Sequence, residues 1–260
     1  MRNVRVKPLA FRKISAVSRR CHWWLALAVG AFGLVALCFV PGTGNAQDTR
    51  VIYQVSSREA MAIGRFDGGP KISTLKKHGN FGLGTFDGLD GELIVIDGKA
   101  YQARVDGPPT LADDAARTPF ALVTFFKPTQ TITVHTTTNL QVLEQLILAS
   151  MPSKKIYSAV RLTGRFTSIK ARSVPKQTAP YTTLAKAVEQ QHVFTLRDVD
   201  ATLVGFWSPP AMAEMSGGGL HLHFLSTDGK HGGHVLDCEF NPLKVELEPI
   251  RHIEIVLVDH

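Results

Sequence analysis

The chain has 260 residues, 44% of them hydrophobic, and a formal net charge of +7, so it is long enough for one large or two small folded domains. The positive charge is concentrated in the first 46 residues, which contain seven Lys and Arg and no Asp or Glu. The remaining body carries 22 basic and 22 acidic residues and therefore lacks the excess of basic charge that is typical of a nucleic-acid-binding protein.

Residues 1–46 are predicted to form an export signal. Their basic residues precede an apolar run at residues 23–40, and small residues ending at Ala46 follow it, which is the order found in cleavable signals. The run is also close to the lower length limit of a membrane-spanning helix, so an uncleaved anchor is the alternative. We expect a periplasmic or secreted protein that meets the membrane only through this segment.

The first part of the body is predicted to contain short strands and two helices. Residues 57–66 form a short helix, and residues 93–96 and 100–104 form a hairpin around an Asp97-Gly98 turn. Two further strands, at residues 120–126 and 131–135, are expected to pair with each other. Residues 140–150 have the apolar spacing of a helix.

The second part is predicted to be richer in strands. Two strands at residues 157–162 and 165–172 are joined at Thr163-Gly164, and a helix follows at residues 181–191. Strands are then expected at residues 199–207, 220–225, 234–240 and 244–258, with Pro249 breaking or bulging the last of them.

This mixture of segments indicates an α+β fold. We expect a mixed β-sheet N-terminal part, residues 47–165, packed against a β-rich, barrel-like C-terminal part, residues 166–260, which carries a histidine-rich hairpin.

Four histidines lie within residues 219–236. Because side chains alternate along a strand, His221 and His223 point to the same face. With Asp228-Gly229 as the hairpin turn, His223 lies opposite His234, and His221 lies opposite Leu236. The same register places His231 opposite Ser226, so that it projects from the other face.

Three imidazoles on one face predict a site for one divalent metal ion, which needs each nitrogen at about 2.0–2.1 Å. Three protein ligands leave a coordination position open, as is typical of catalytic sites. Imidazole ligands suit zinc but also iron, nickel, cobalt or copper. A strand face with solvated histidines and no metal is the plainer alternative.

Five separated segments resemble the motifs of the alpha-acetolactate decarboxylase family. They are His78-Gly79-Asn80-Phe81-Gly82-Leu83-Gly84-Thr85, Leu89-Asp90-Gly91-Glu92, Leu162-Thr163-Gly164-Arg165-Phe166, Lys170-Ala171-Arg172-Ser173-Val174-Pro175-Lys176-Gln177, and the histidine motif at residues 219–235. The resemblance covers roughly residues 51–258. It implies decarboxylation of acetolactate (2-hydroxy-2-methyl-3-oxobutanoate) to acetoin and CO2.

The resemblance also implies roles for individual residues. His221, His223 and His234 would hold a zinc ion, and Glu92 and Arg172 would be the catalytic residues that line the active site. Thr85 and Leu89 fall where the pocket wall of the family lies. The family adds a glutamate from a C-terminal tail, and the role of that second carboxylate is left open here. The resemblance further suggests a homodimer.

The chemistry of this reaction can be argued from the residues. A keto acid loses CO2 when the remaining electrons flow into a polarised carbonyl, and a bound metal ion would stabilise the resulting enediolate. Arg172 could pair with the substrate carboxylate or lie near the site of proton transfer, and Glu92 could deliver the proton. The alternatives are a non-catalytic periplasmic metal-binding protein and another metal-dependent lyase or hydrolase that uses the same histidines.

Overall fold

The computed structural model describes residues 50–135 and 138–259. The predicted export segment, residues 1–46, lies outside the described residues. Within the described part, no helix is both long enough and apolar enough to cross a membrane. The described residues form one compact unit.

Thirteen strands and five short helices are described. The strands are β1 (Val51–Val55), β2 (Phe81–Thr85), β3 (Glu92–Ile96), β4 (Lys99–Ala103), β5 (Thr110–Leu111), β6 (Ala121–Thr124), β7 (Gln130–Val134), β8 (Thr138–Asn139), β9 (Tyr157–Ser173), β10 (His192–Ser208), β11 (Gly219–Ser226), β12 (Gly232–Ile250) and β13 (His252–Val256). The helices are α1 (Arg58–Ala62), α2 (Ile72–Leu75), α3 (Leu140–Ser150), α4 (Leu184–Val188) and α5 (Ala213–Ser216).

The first sheet has seven strands in the order β13-β1-β6-β2-β3-β4-β5. All neighbours are antiparallel except β1 and β13, which run parallel. Its central strands are apolar on both faces, because each face packs against other parts of the protein. Leu83 and Ile94 face the second sheet in one core, whereas Leu93 and Val95 pack with Ile72 of α2 in another.

The second sheet has the order β11-β10-β9-β12-β7, with β8 paired to β12 and a further contact between β11 and β12. Its long strands β9 and β10 have 17 residues each, and β12 has 19. Leu143 and Ile147 of α3 pack in one core with Leu162 and Val245 of this sheet. Helix α3 therefore packs against one face of this sheet, and the first sheet packs against the other.

The local predictions agree best with the structure where one turn or cap determines them. The hairpin turn at Asp97-Gly98 has positive φ at both residues, 49° and 79°, as a two-residue type I′ turn requires. Helix α3 spans the predicted residues 140–150, and Asn139 Oδ1 accepts a hydrogen bond from Val142 N at 3.0 Å. The helix predicted at residues 181–191 is shorter and begins only after Thr183.

Two predicted strand arrangements are wrong. The strands at residues 120–126 and 131–135 do not pair, because β6 lies in the first sheet and β7 pairs with β12 in the second. Thr163-Gly164 is not a turn, since Gly164 is paired with Ala201 and Leu243 inside the continuous strand β9. Pro249 also lies inside β12, and the strand ends only after Ile250.

The structure contains mostly β-sheet with few helices, as the sequence predicts. The two sheets of the described residues do not form a closed barrel, so the barrel-like form of the C-terminal part is not confirmed; β11 and β12 pair over only three residues. The predicted boundary between residues 165 and 166 falls inside β9, and β13 returns to the first sheet. The division into domains stays a prediction.

Candidate active site

The three predicted metal ligands meet between strands β11 and β12. His234 Nδ1 lies 3.1 Å from His221 Nε2 and 3.3 Å from His223 Nε2, and all three nitrogens lie within 4.8 Å of one another. Nitrogens bound tetrahedrally to one metal ion at about 2.0–2.1 Å are about 3.3 Å apart. The three imidazoles could therefore hold one metal ion.

The hairpin register explains this convergence. His223 and His234 are direct partners across β11 and β12, and Ser226 N donates to the carbonyl oxygen of His231 at 2.8 Å. Both pairings confirm the register predicted from the Asp228-Gly229 turn. The side chain of His231 is not part of the cluster, which agrees with its predicted position on the other face.

The predicted partner of His221 is wrong. His221 lies opposite Phe206 of β10, whereas the pairing of β12 with β11 covers only residues 232–234. From there β12 follows β9, and a register shift separates Val235 from Asp237. This departure changes the neighbours of Leu236 but leaves the three imidazoles together.

Contacts from other strands hold the histidines in place. His223 Nδ1 donates to the carbonyl oxygen of Leu93, on β3 of the first sheet, at 2.8 Å. This hydrogen bond leaves the lone pair on His223 Nε2 and fixes the ring, as the outer contacts of metal-binding histidines do. On β10, a Cβ atom at Gly205 would lie 1.9 Å from the carbonyl oxygen of His221. Only glycine therefore lets β11 approach β10 this closely.

The histidines are uncharged near neutral pH. Burial, followed by the charge of Arg172, lowers the pKa of His221 to about 4. Burial and the neighbouring His221 lower the pKa values of His223 and His234 well below the ordinary value. Neutral imidazole is the form that binds metal ions, so protons compete little for this cluster at neutral pH.

Glu92 lies beside the cluster, at the start of β3. Its Oε2 is 3.4 Å from His223 Nε2, and burial raises the pKa of Glu92 to about 7 although the charge of Arg172 opposes this. Two lone-pair atoms face each other here, an arrangement that a proton on Glu92 or a bound cation would relieve. Gly91, with φ +88°, makes the preceding turn, and its carbonyl oxygen accepts from Thr85 Oγ1 at 2.8 Å.

Arg172 lies on β9, directly opposite His234. Its Nη1 donates to Gln191 Oε1 at 3.1 Å. Its Nε is buried and has no hydrogen-bond partner among the described residues. An unpaired buried donor is costly, so a ligand oxygen that reached this nitrogen would relieve that cost.

A cavity of about 290 Å³ opens onto these groups. All seven predicted site residues line it: Thr85, Leu89, Glu92, Arg172, His221, His223 and His234. Among the described residues, Glu92 is the only carboxylate in the cavity wall. The structure therefore brings the predicted ligands, catalytic residues and pocket residues to one place; their individual roles stay predictions.

The family profile and the curated relatives give the same assignment. A profile of the alpha-acetolactate decarboxylase family matches residues 52–260. The alpha-acetolactate decarboxylase of Methanosarcina mazei is 44% identical over 197 residues, which are 76% of this chain and 68% of the relative. The Bacillus subtilis enzyme is 37% identical over 191 residues, which are 74% of this chain and 75% of the relative.

Two solved structures are similar to this chain over most of its length. The crystal structure of alpha-acetolactate decarboxylase from Bacillus subtilis superposes with a TM-score of 0.79 at 34% identity, covering 81% of this chain and 90% of that one. A Staphylococcus aureus protein described as similar to alpha-acetolactate decarboxylase gives 0.78 at 30% identity, with 80% and 89% covered.

This chain belongs to the alpha-acetolactate decarboxylase family. The predicted family and the predicted enzyme class, a decarboxylase acting on a small molecule, are confirmed. The alternative of a non-catalytic metal-binding protein loses its support, because the relatives are named as enzymes over most of the chain.

Several cavity residues were not predicted from the sequence. The apolar ones are Met61, Phe120, Val174, Leu184, Val188 and Leu220, and Arg58 adds a second cation. They come from distant segments whose proximity no local pattern indicates. Val174 and Leu220 lie within two of the motifs named above, at residues 170–177 and 219–235, so the family resemblance was the signal that could have indicated these two.

Proposed function

We propose that this enzyme decarboxylates acetolactate to acetoin with one divalent metal ion, zinc, held by His221, His223 and His234. The observation that carries this proposal is the convergence of three uncharged imidazole nitrogens, two pairs of which are 3.1 and 3.3 Å apart, at the wall of a cavity of about 290 Å³. When bound, such an ion supplies the positive charge that stabilises negative charge developing on the substrate oxygens.

Arg172 positions the substrate in this proposal. Its guanidinium is held by Gln191 through Nη1, and because Arg172 lines the cavity together with the histidines, the guanidinium can donate to a substrate oxygen beside them. A charge-assisted hydrogen bond from guanidinium is both stronger and more directional than a neutral one. Arg172 therefore orients the keto acid and adds positive charge where negative charge appears.

Glu92 supplies the proton. As the carbon–carbon bond to the carboxylate breaks, CO2 leaves. The electron pair of that bond remains behind and is shared by the carbon and oxygens of the enediolate. Burial raises the pKa of Glu92 and so favours a proton on this carboxyl group, and transfer of that proton to the vacated carbon yields acetoin. A proton from solvent restores Glu92, so one proton is consumed for each CO2 released.

Removal of the metal ion tests this proposal. Enzyme treated with a chelator and then dialysed is expected to lose at least ~10²-fold in acetoin formation, because the charge that stabilises the developing oxyanion is absent. One equivalent of zinc per chain should restore the activity. Full turnover in protein shown to be metal-free by elemental analysis would refute the metal's role, and zinc-loaded protein that forms no acetoin would refute the function.

We also propose that residues 1–46 direct export and are removed after Ala46. The basic segment, apolar run and small residues support this reading. N-terminal sequencing of the exported protein is expected to begin at Gln47, and a mature protein that retains the apolar run would instead support a membrane anchor. The homodimer suggested by the resemblance stays a prediction.

A further inference from the structure

A second guanidinium lines the cavity, on the short helix α1 rather than on a strand. Arg58 is the first residue of α1, and its side chain lines the same cavity as the histidines. Arg58 is an exposed residue. Its Cδ lies 4.0 Å from the position that a Cβ atom would occupy if Gly217 carried one. Arg58 therefore occupies the outer part of the cavity, whereas His223 lies at its buried end.

Arg58 is not paired with an acidic side chain in the part of the chain that the structure describes. Although the residue as a whole is exposed, partial burial of its guanidinium, followed by the charge of Arg172, lowers the pKa of Arg58, and no carboxylate opposes this shift. Arg58 also contributes to lowering the pKa values of His221 and His234, so its positive charge acts on the histidine cluster. Two guanidinium groups that repel each other across a cavity favour an anion between them.

We propose that Arg58 binds the carboxylate of the incoming 2-hydroxy-3-keto acid and so determines the preference of the enzyme for anionic substrate over neutral product. This proposal rests on the proposed function. The carboxylate loses its charge as it becomes CO2, so a cation that contacts it stabilises the bound substrate at least as much as the transition state. Such an interaction lowers KM without raising kcat. Acetoin has no charge and leaves without breaking an ion pair.

Kinetics separate this role from that of a catalytic group. Arg58→Gln is expected to raise KM for acetolactate about tenfold, as loss of one charge-assisted hydrogen bond would, with kcat changed less than about twofold. Arg58→Lys keeps the charge and should give an intermediate KM. The matched control is Arg65→Gln, because Arg65 is exposed, follows the same helix and does not line the cavity.

Binding without turnover gives an independent measurement. Zinc-loaded wild-type and Arg58→Gln proteins are titrated calorimetrically with 2-hydroxy-2-methylpropanoate, an unreactive anion, and with acetoin. The Kd of the anion should rise about tenfold in the variant, and the Kd of acetoin should stay unchanged. Equal weakening of both ligands, no change in either, or no binding of the anion to wild type would overturn the role of Arg58.

A fall in kcat at unchanged KM would likewise overturn it, because Arg58 would then act in the chemical step. The titrations do not depend on turnover. If wild-type protein binds the anion through Arg58 but forms no acetoin, the proposed function fails and the role of Arg58 as a carboxylate-binding residue stands.

Discussion

Replacing His223 by alanine is expected to remove the bound metal ion and to lower kcat for acetoin formation by at least ~10³-fold. The substitution deletes one of three converging nitrogens and leaves two ligands, which is too few for a typical site of this kind. It also deletes the hydrogen bond from Nδ1 to Leu93 O, which ties the hairpin to the first sheet. Elemental analysis of the purified variant, together with an acetoin assay, measures both effects.

His231→Ala is the matched control for this experiment. His231 lies on the same hairpin, three residues before His234, but its imidazole is outside the cluster. Its hydrogen bonds with Ser226 use backbone atoms of residue 231, which alanine retains. Metal content and kcat should therefore equal those of wild type. A substoichiometric metal content in His231→Ala would contradict the observed register.

The buried position of His223, 1% exposed, means that its removal also leaves a cavity in the protein. His234→Ala, at a less buried position, provides a second test in which folding is perturbed less. Thermal unfolding of both variants shows whether they are folded. If the two folded variants each keep one equivalent of metal and wild-type turnover, the three-histidine site is wrong.

The histidine hairpin could be predicted because its geometry is local. A two-residue turn at Asp228-Gly229 fixes which residues face each other, and strand alternation fixes the face of each side chain. His223 and His234 follow from these two rules alone. The pairing of His221 could not be predicted in the same way, because β12 leaves β11 to follow β9, and that choice depends on a strand some 60 residues earlier in the sequence.

The remainder of the site depends on long-range packing that no local pattern encodes. Glu92 and Arg172 were predicted from the family resemblance, since neither a carboxylate after a turn nor an arginine in a strand indicates catalysis by itself. Arg58 was not predicted at all, because the short helix α1 meets the histidines only through the packing of distant segments. For the same reason, the predicted pairing of β6 with β7 is wrong, although the two strands are close in sequence.

The placement of the site between the two sheets explains its electrostatics. The first sheet contributes Glu92 and the carbonyl group that fixes His223, and the second contributes the histidines and Arg172. Burial between the sheets disfavours charge on Glu92 and on the three histidines. Burial thus disfavours a proton on the histidines and favours one on the carboxyl group, and these are the protonation states that metal binding and proton donation require.

Glu92→Gln is expected to lower kcat by about 10²-fold while leaving the metal content unchanged. The amide keeps the shape of the side chain but has no acidic proton to give to the enediolate, and general acid catalysis typically contributes about 10²–10⁴-fold. Glu239→Gln is a matched control, because Glu239 is an exposed carboxylate of β12 that does not line the cavity. Its kcat should equal that of wild type.

The pH dependence of kcat distinguishes proton donation by Glu92 from a structural role. Burial raises the pKa of Glu92 to about 7, so the carboxyl group is protonated below that pH and loses its proton above it. Turnover by wild type should therefore fall as pH rises, with an apparent pKa at or below about 7, because a cation at the histidines favours the carboxylate. Glu92→Gln cannot titrate there and should lack this alkaline decline. An unchanged pH profile in the variant would show that another group supplies the proton.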